Sequence, residues 1–584
     1  MATEIRRRPR NDGFAAAGDL HPVLRRVYGA RGIASTDELD LSLERLAPVS
    51  TLEGVERAAE ILAAQRTSGR VLVVGDFDAD GATGSALLVR AMRSLGFAHV
   101  DFLVPNRFQF GYGLTPGIVA LAAPRRPTLI VTVDNGVSSI EGVEASHALG
   151  IPVLITDHHL PGAALPSAEV IVNPNLPGST FSSPALSGVG VAFYVVAALA
   201  RALRRPDFRP SDLLDLVALG TVADLVPLDR NNRVLVSQGL RRIRAGRCVP
   251  GIRALLELAG RGLERLTAAD LGFVVAPRLN AAGRLSDMSV GISCLLTDDE
   301  ARARTLAAEL TRLNEERREI EQRMQTEATE LAARVRFADS GDETLGLCLF
   351  DENWHQGVVG LVAGRIKDRF HRPVVAFARA EDGSLRGSAR SVAGIHIRDA
   401  LDAIAARHPG LIEKFGGHAM AAGMTLPAAS LDAFRQAFAA EIASRADADT
   451  LAGVILSDGE LLEPEMSLDT ARVLRGAGPW GQGFPEPVFD GGFTIADRRV
   501  VGGRHLKMRL RPSGPDAGAM SGPPLDAIYF GYVGGGSEDP ALEPGVKVDL
   551  AYRLEVNEYN GAEQVQLNCH HITLRRPRET REDL

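Results

Sequence analysis

The chain has 584 residues, more than one hydrophobic core usually serves, so three or four domains are expected. Hydrophobic residues make up 45% and charged residues 24%, which excludes a disordered or fibrous chain. A net charge of −8 argues against a uniformly basic nucleic-acid binder, but it conceals two basic segments: 361–390 carries seven Arg and Lys against three acids, and 494–512 six against one. No stretch reaches the roughly 20 apolar residues of a membrane span. The start, MATEIRRRPRNDG, has charge without an apolar core behind it, so it does not read as a secretory signal. Cys248, Cys294, Cys348 and Cys569 lie scattered without CxxC spacing. That excludes a disulfide scaffold and a zinc ribbon and points to a reducing cytoplasm. None of the lysines at 367, 414, 507 and 547 follows a glycine, so a P-loop is excluded.

In chain order, residues 1–69 form an N-terminal helical segment, with helices expected in LDLSLERLAP and GVERAAEILAAQ. From 70 to 245, apolar runs alternate with helical patterns. RVLVVG (70–75), HVDFLVP (99–105), PTLIVTV (127–133), IPVLIT (151–156) and AEVIVN (168–173) read as strands. ATGSALLVRAMRSLG (82–96) reads as a helix ending at Gly96, and residues 186–245 as further helices. Near-continuous apolar strands alternating with helices predict an α/β fold with a parallel sheet covered on both faces. Residues 246–343 form a helical region. It ends in one long helix from about 298, whose Leu306, Leu310, Leu313, Ile320, Met324 and Leu331 make a 4,3-spaced stripe suited to a spacer packed along one side. A second α/β domain spans 344–445. Short strands and turns over 452–577, with Asn560–Gly561 as a hairpin signal, read as a small barrel or sandwich. Alternation there turns Met508 and Leu510 inward and Lys507, Arg509 and Arg511 outward.

The acids cluster at strand ends. GDFDADG places Asp76, Asp78 and Asp80 after the first strand, TVDNG places Asp134 after the third, and TDHH places Asp157, His158 and His159 after the fourth. In an open parallel sheet such ends face one ligand site. Asp224 lies in the apolar stretch GTVADLVPL, where an acid is costly unless paired or ligating. Singly, each of these acids could be a helix cap or a turn former. Together they are oxygen-rich with one or two imidazoles, a set that suits Mn²⁺ or Mg²⁺ better than zinc. Two such ions sharing a carboxylate suit in-line displacement at phosphorus.

In that order, GDFDADG, TVDNG, TDHH and GTVAD resemble the DHH phosphoesterase superfamily. FVVAPRLNAAGR (273–284), WHQGVVGLVAGR (354–365), GSARS (387–391), FGGHAMAAG (415–423) and GPWGQGFPEPVF (478–489) narrow the resemblance to its RecJ family. The resemblance implies a single-stranded-DNA exonuclease that works from the 5′ end, acts in repair and recombination, and releases nucleoside 5′-monophosphates. It implies two ions held by Asp76, Asp78, Asp80, Asp134, His158 and Asp224. Asp134 would bridge them, His159 would stand near the scissile phosphate, and Asp157 would orient an imidazole. It implies that 344–445 is a DHH-associated domain whose GGH motif faces the cleft, and that the last domain is an OB-fold. Single-strand-binding protein, helicase and mismatch-repair partners also follow from it, with a monomeric chain. Arg107, Arg278, Asn280, Arg284, Ser388, Arg390 and His418 are candidate substrate contacts. Arg278 and Arg284 flank an expected turn and bind either phosphate, or carbonyls or the acids. Tyr112 either stacks on a base or packs, and Trp354 and Trp480 are expected as buried anchors. The competing readings are a small-substrate phosphoesterase of the same superfamily, acting on short oligonucleotides, dinucleotides, cyclic dinucleotides or pyrophosphate, and a catalytically silent DNA-binding scaffold.

Overall fold

The computed structural model describes residues 3–9, 20–106, 109–338, 345–446, 453–513, 523–532, 542–559 and 561–575. Strand β1 (Glu4–Arg7) and the helices Pro22–Gly29 and Val55–Ala64 precede five strands: β2 (Arg70–Gly75), β3 (His99–Leu103), β4 (Leu129–Val133), β5 (Val153–Thr156) and β6 (Val170–Val172). These five are all parallel in the order β3-β2-β4-β5-β6. The chain therefore reverses its direction of progress between β2 and β4, the switch point at which a doubly wound sheet opens a ligand crevice. The helix Ala79–Ser94 is buried along nearly its whole length against the helices Gly188–Ala202 and Leu214–Ala223. Gly84 permits its close approach to the sheet, because a Cβ there would lie 2.5 Å from Val133.

LDLSLERLAP is not an α-helix. It holds one short 3₁₀ turn, Leu43–Arg45, between two others at Thr36–Leu39 and Val49–Thr51. The Asp40 carboxylate takes the Ser42 amide, and Pro48 has no amide to donate, so local bonds displace the helical ladder. The expected turn carrying Arg278 and Arg284 is also a helix, Ala276–Leu285, entered through a π-helical turn at Leu271–Val275. Pro277 cannot donate to the preceding turn, which widens instead.

The long helix Glu300–Ala338 has 39 residues, about 58 Å of rise. Its stripe divides between two domains. Leu306, Leu310 and Leu313 pack into the core of the parallel-sheet domain. Met324, with Ile320 and Leu331 beside it, packs against the second domain. That domain holds β7 (Leu347–Phe350), β8 (Val374–Arg379), β9 (Leu385–Arg390), β10 (Lys414–Gly417) and β11 (Ala421–Leu426) in a sheet ordered β10-β11-β9-β8-β7. Trp354 is buried there, with Nε1 donating to Glu327 of the long helix.

After β12 (Val454–Ser457), five strands close a barrel: β13 (Phe489–Val501), β14 (His505–Pro512), β15 (Leu525–Tyr529), β16 (Lys547–Tyr559) and β17 (Ala562–Leu574), in the order β13-β14-β15-β17-β16. Asn560 lies outside the described residues, while Tyr559 pairs with Ala562 across the expected hairpin. On β14, Leu506, Met508 and Leu510 point inward. The barrel shares one apolar core with the parallel-sheet domain. β1 pairs in parallel with β12, Glu4 opposite Val454. Arg31 clamps Asp458 with two bonds of 2.7 and 3.1 Å, both side chains essentially inaccessible, and its guanidinium lies 5.3 Å over the Trp480 ring. The N-terminal segment is thus a strap onto the barrel as well as the start of the first domain.

Arg31→Ala leaves the Asp458 carboxylate buried with the Val488 amide at 3.1 Å and, for a cation, Arg8 at 3.8 Å. The variant is expected to lose about 3 kcal/mol of stability to urea. Trp480 fluorescence reports the transition, and an unchanged midpoint would refute the clamp.

Candidate metal centre

Each ligand candidate is fixed by a local device. Asp78 is the N-cap of the helix Ala79–Ser94; its Oδ1 accepts the amides of Asp80 and Gly81, each at 3.0 Å. Asp80, in the first turn, accepts the Gly188 and Val189 amides at 2.6 and 3.0 Å. These are the first amides of the helix Gly188–Ala202, whose positive end faces the carboxylate. Asp134 has φ +63°, a left-handed conformation rare outside glycine and asparagine. It is held there by the Tyr112 hydroxyl, which donates to its carbonyl at 2.9 Å, and by Gly188, where a Cβ would come 2.6 Å from the Asp134 Cβ. Asp157 accepts the amides of Val137, His158 and His159 and bonds His159 Nδ1 at 2.8 Å.

The side chains converge in three overlapping groups whose ligand atoms lie within 4.8 Å of one another: Asp76, Asp78 and Asp134; Asp80, His158 and Asp224; and Asp134, His158 and His159. Burial, reinforced by the neighbouring carboxylates, pushes Asp134 and Asp224 well above the ordinary carboxylate range and Asp80 up to about 7. The two imidazoles part company. Burial beside His159 lowers His158 to about 4, so it is neutral near pH 7. Burial also opposes charge on His159, but the Asp157 carboxylate outweighs it and raises His159. For Asp157, the His159 bond and the amides overcome burial and hold it low.

A divalent cation fits this set. Asp134 Oδ1 and His158 Nε2 are buried, make no hydrogen bond, and face each other at 3.0 Å. Adjacent ligands of one octahedral ion, with bonds of about 2.1 Å, stand about 3 Å apart. The neutral imidazole supplies a lone pair and the carboxylates supply compensating charge.

The second domain closes over this centre. His418, in the β10–β11 turn, sets its ring 6.2 Å from that of His159. Ser388 and Arg390 lie on β9, where the Arg390 Nη1 donates to Ser388 Oγ at 2.9 Å and burial lowers its pKa. No carboxylate pairs with Arg390 among the described residues. A Cβ on Gly360 would come 3.0 Å from both groups, so the glycine leaves a recess at this cation. Arg107 lies outside the described residues.

Other candidates bind protein. Asn280 Oδ1 accepts the Ala79 amide at 2.8 Å and so holds the acidic loop. Arg278 donates to the Val274 carbonyl at 2.5 Å, and Arg284 to that of Gly357 at 3.1 Å, tying the two domains together. Tyr112 anchors Asp134 through its hydroxyl while its ring stays about half exposed.

Sequence reasoning passed over several positioning residues. Asn173 and Asn175 donate to the His159 and His158 carbonyls at 2.9 and 2.6 Å. Asn135 Nδ2 ties the ends of β2 and β4 together through the Val74 and Val133 carbonyls. The NPN run directly after the fifth strand and the SGVG run opening a helix were the available signals.

Three family models match the chain: the DHH family N-terminal domain over 70–221, the DHHA1 domain over 343–444 and the RecJ OB domain over 457–571. The chain is 52% identical over 588 residues to the single-stranded-DNA-specific exonuclease RecJ of Dickeya dadantii, spanning 98% of this chain and 99% of that protein. It is 52% identical over 579 residues to that of Escherichia coli, spanning 97% and 98%. The crystal structure of RecJ from Thermus thermophilus in complex with Mn²⁺ matches at a TM-score of 0.80 and 31% identity, covering 98% of this chain and 80% of that one. With this identity along its whole length and the same three-part organisation, the chain belongs to the RecJ family of DHH phosphoesterases.

Proposed function

We propose that this chain is a metal-dependent exonuclease that degrades single-stranded DNA from its 5′ end to nucleoside 5′-monophosphates, in repair and recombination. The observation that carries the reading is the pair of donor groups, Asp76/Asp78/Asp134 and Asp80/His158/Asp224, linked by the 3.0 Å contact between Asp134 and His158 at the sheet's switch point. Asp76, Asp78 and Asp134 would hold one ion and Asp80, His158 and Asp224 the other, with Asp134 shared. Mn²⁺ or Mg²⁺ bound there would make a bound water more acidic and would set positive charge facing the phosphate. His159, oriented by Asp157, donates a hydrogen bond to the scissile phosphate, with His418 beside it. Arg390 and Ser388 receive the terminal phosphate in the recess above Gly360 and so set the polarity. The closed barrel gives a long strand a surface that a dinucleotide has no use for, and the complete donor set speaks for catalysis rather than scaffolding.

No helix among the described residues is long and apolar enough to cross a membrane. The four free cysteines suit a reducing compartment, and we place the chain in the cytoplasm as a monomer. Single-strand-binding protein, helicase and mismatch-repair proteins are its proposed partners. End-labelled single strands, blocked at either end and digested in Mg²⁺ or Mn²⁺, test the activity; degradation from a free 3′ end past a 5′ block would overturn it.

Asp134→Asn is expected to lose about 3 kcal/mol or more of transition-state stabilisation, roughly two orders of magnitude in kcat. Without metal it should melt above the wild type, because one of several mutually repelling carboxylates is gone, and Mn²⁺ should raise its melting temperature far less. Near-normal turnover in the folded variant would refute the shared-ligand role.

Arg390→Ala should weaken the preference for a phosphorylated 5′ end over a hydroxyl end and leave Mn²⁺ binding intact. An equal loss on both ends would remove Arg390 from recognition of the terminus.

On the barrel, Lys507, Arg509 and Arg511 face outward, with Asp526 3.5 Å from Lys507. Arg509→Ala combined with Arg511→Ala should flatten the logarithmic salt dependence of single-strand binding by about 1.4, the value for two lost phosphate contacts. An unchanged slope would move strand tracking to the basic segment 361–390.

A further inference from the structure

The motif GPWGQGFPEP, at 478–487, lies in the C-terminal domain yet touches the loop that bears Asp224. Gly481 and Phe484 exchange backbone hydrogen bonds of 2.9 and 3.1 Å, closing a tight turn. At its apex the Gln482 carbonyl accepts the Leu228 amide at 2.7 Å. The two flanking glycines lie flush against the same loop. A Cβ on Gly481 would lie 2.7 Å from Leu228 Cδ1, and one on Gly483, whose φ is +71°, 3.2 Å from Pro227 Cβ. The turn is itself anchored. Trp480 stacks on Phe484 at 5.3 Å and donates from Nε1 to the Leu474 carbonyl, and Arg233, from the helix after the Asp224 loop, lies 4.4 Å over the Phe484 ring.

The loop needs an external hold. Directly after Asp224, Leu225 has φ +60° and a mostly exposed side chain, so its own packing does not stabilise this left-handed conformation. A non-glycine residue stays in that region only when its surroundings over-determine it. From Asp224 the chain reaches Pro227 and Leu228 within four residues, and there the turn grips it.

We propose that the Gly481–Phe484 turn is a positioning element for Asp224, so that the C-terminal domain sets the geometry of the metal centre as well as offering a surface to the strand. The inference rests on Asp224 ligating a metal. It makes the affinity for the ion near Asp80, His158 and Asp224 depend on a domain that contributes no ligand. Groups that orient ligands from behind govern affinity in this way.

The test titrates full-length protein with Mn²⁺ and reads the free ion by electron paramagnetic resonance. Gly481→Ala and Gly483→Ala are expected to bind Mn²⁺ about tenfold more weakly at one site. They should need correspondingly more Mn²⁺ for half-maximal activity, with kcat restored at saturation. Gly503→Ala, with φ +69° and open space around its Cβ, introduces the same backbone strain in the barrel hairpin and should bind Mn²⁺ as the wild type does. Leu228→Ala empties the seat on Gly481 without backbone strain and should shift Mn²⁺ affinity in the same direction. Asp224→Asn is the reference and should lose the same site. If Asp224→Asn weakens Mn²⁺ binding while the folded turn variants and Leu228→Ala keep wild-type affinity, the positioning role is overturned. If Asp224→Asn binds Mn²⁺ unchanged, Asp224 is not a ligand and the reading beneath the inference fails instead.

Discussion

Mutual repulsion among carboxylates is the constraint that shapes this protein. Asp76, Asp80 and Asp134 are buried, and Asp78 and Asp224 complete a cluster that water would separate at once. The fold holds it with fixed dipoles. Asp78 spends one oxygen capping a helix, Asp80 sits on the amides opening another, and Asp134 is pinned in a left-handed bend. Burial, with the remaining repulsion added to it, raises the pKa values of Asp80, Asp134 and Asp224, and divalent cations offset both. A centre built this way is less stable empty than filled, so ion binding and local stability are linked.

The two neighbouring histidines show how little sequence distance separates two kinds of chemistry. His158 is neutral because it is buried against its neighbour, and its Nε2 faces a carboxylate oxygen. Asp157 touches His159 and raises its pKa, which favours the charged form. One imidazole is suited to hold a cation and the other to meet an anion, and the difference comes from a single carboxylate.

The strands of the parallel sheet were legible because buried parallel strands are continuous apolar runs, and the acids were legible because each directly follows such a run. The spacer helix was legible from its stripe, whose two halves serve two different cores. What escaped reading depends on partners far along the chain. Nothing local marks Asn280 as the acceptor for the Ala79 amide, or Asn173 and Asn175 as the braces of the histidine pair. The Arg31–Asp458 clamp joins residues whose neighbours look like ordinary surface. LDLSLERLAP misled because its leucines have helical spacing while Asp40 and Pro48 break the ladder. Arg278 and Arg284 carry the right chemistry for phosphate but reach carbonyls, a choice set by the helix on which they sit.

The pairing of β1 with β12 bears on how the molecule is made. Synthesis proceeds from the N-terminus, and domains generally fold as they emerge. Glu4 cannot meet Val454 until nearly four-fifths of the polypeptide has left the ribosome. Strand β1 is therefore made long before it is placed, and until then its edge is bare. A nascent chain can assemble the parallel sheet and bring the clustered acids together before the strap closes. The finished enzyme, with β1 sewn to β12, exists only once the C-terminal domain has been delivered.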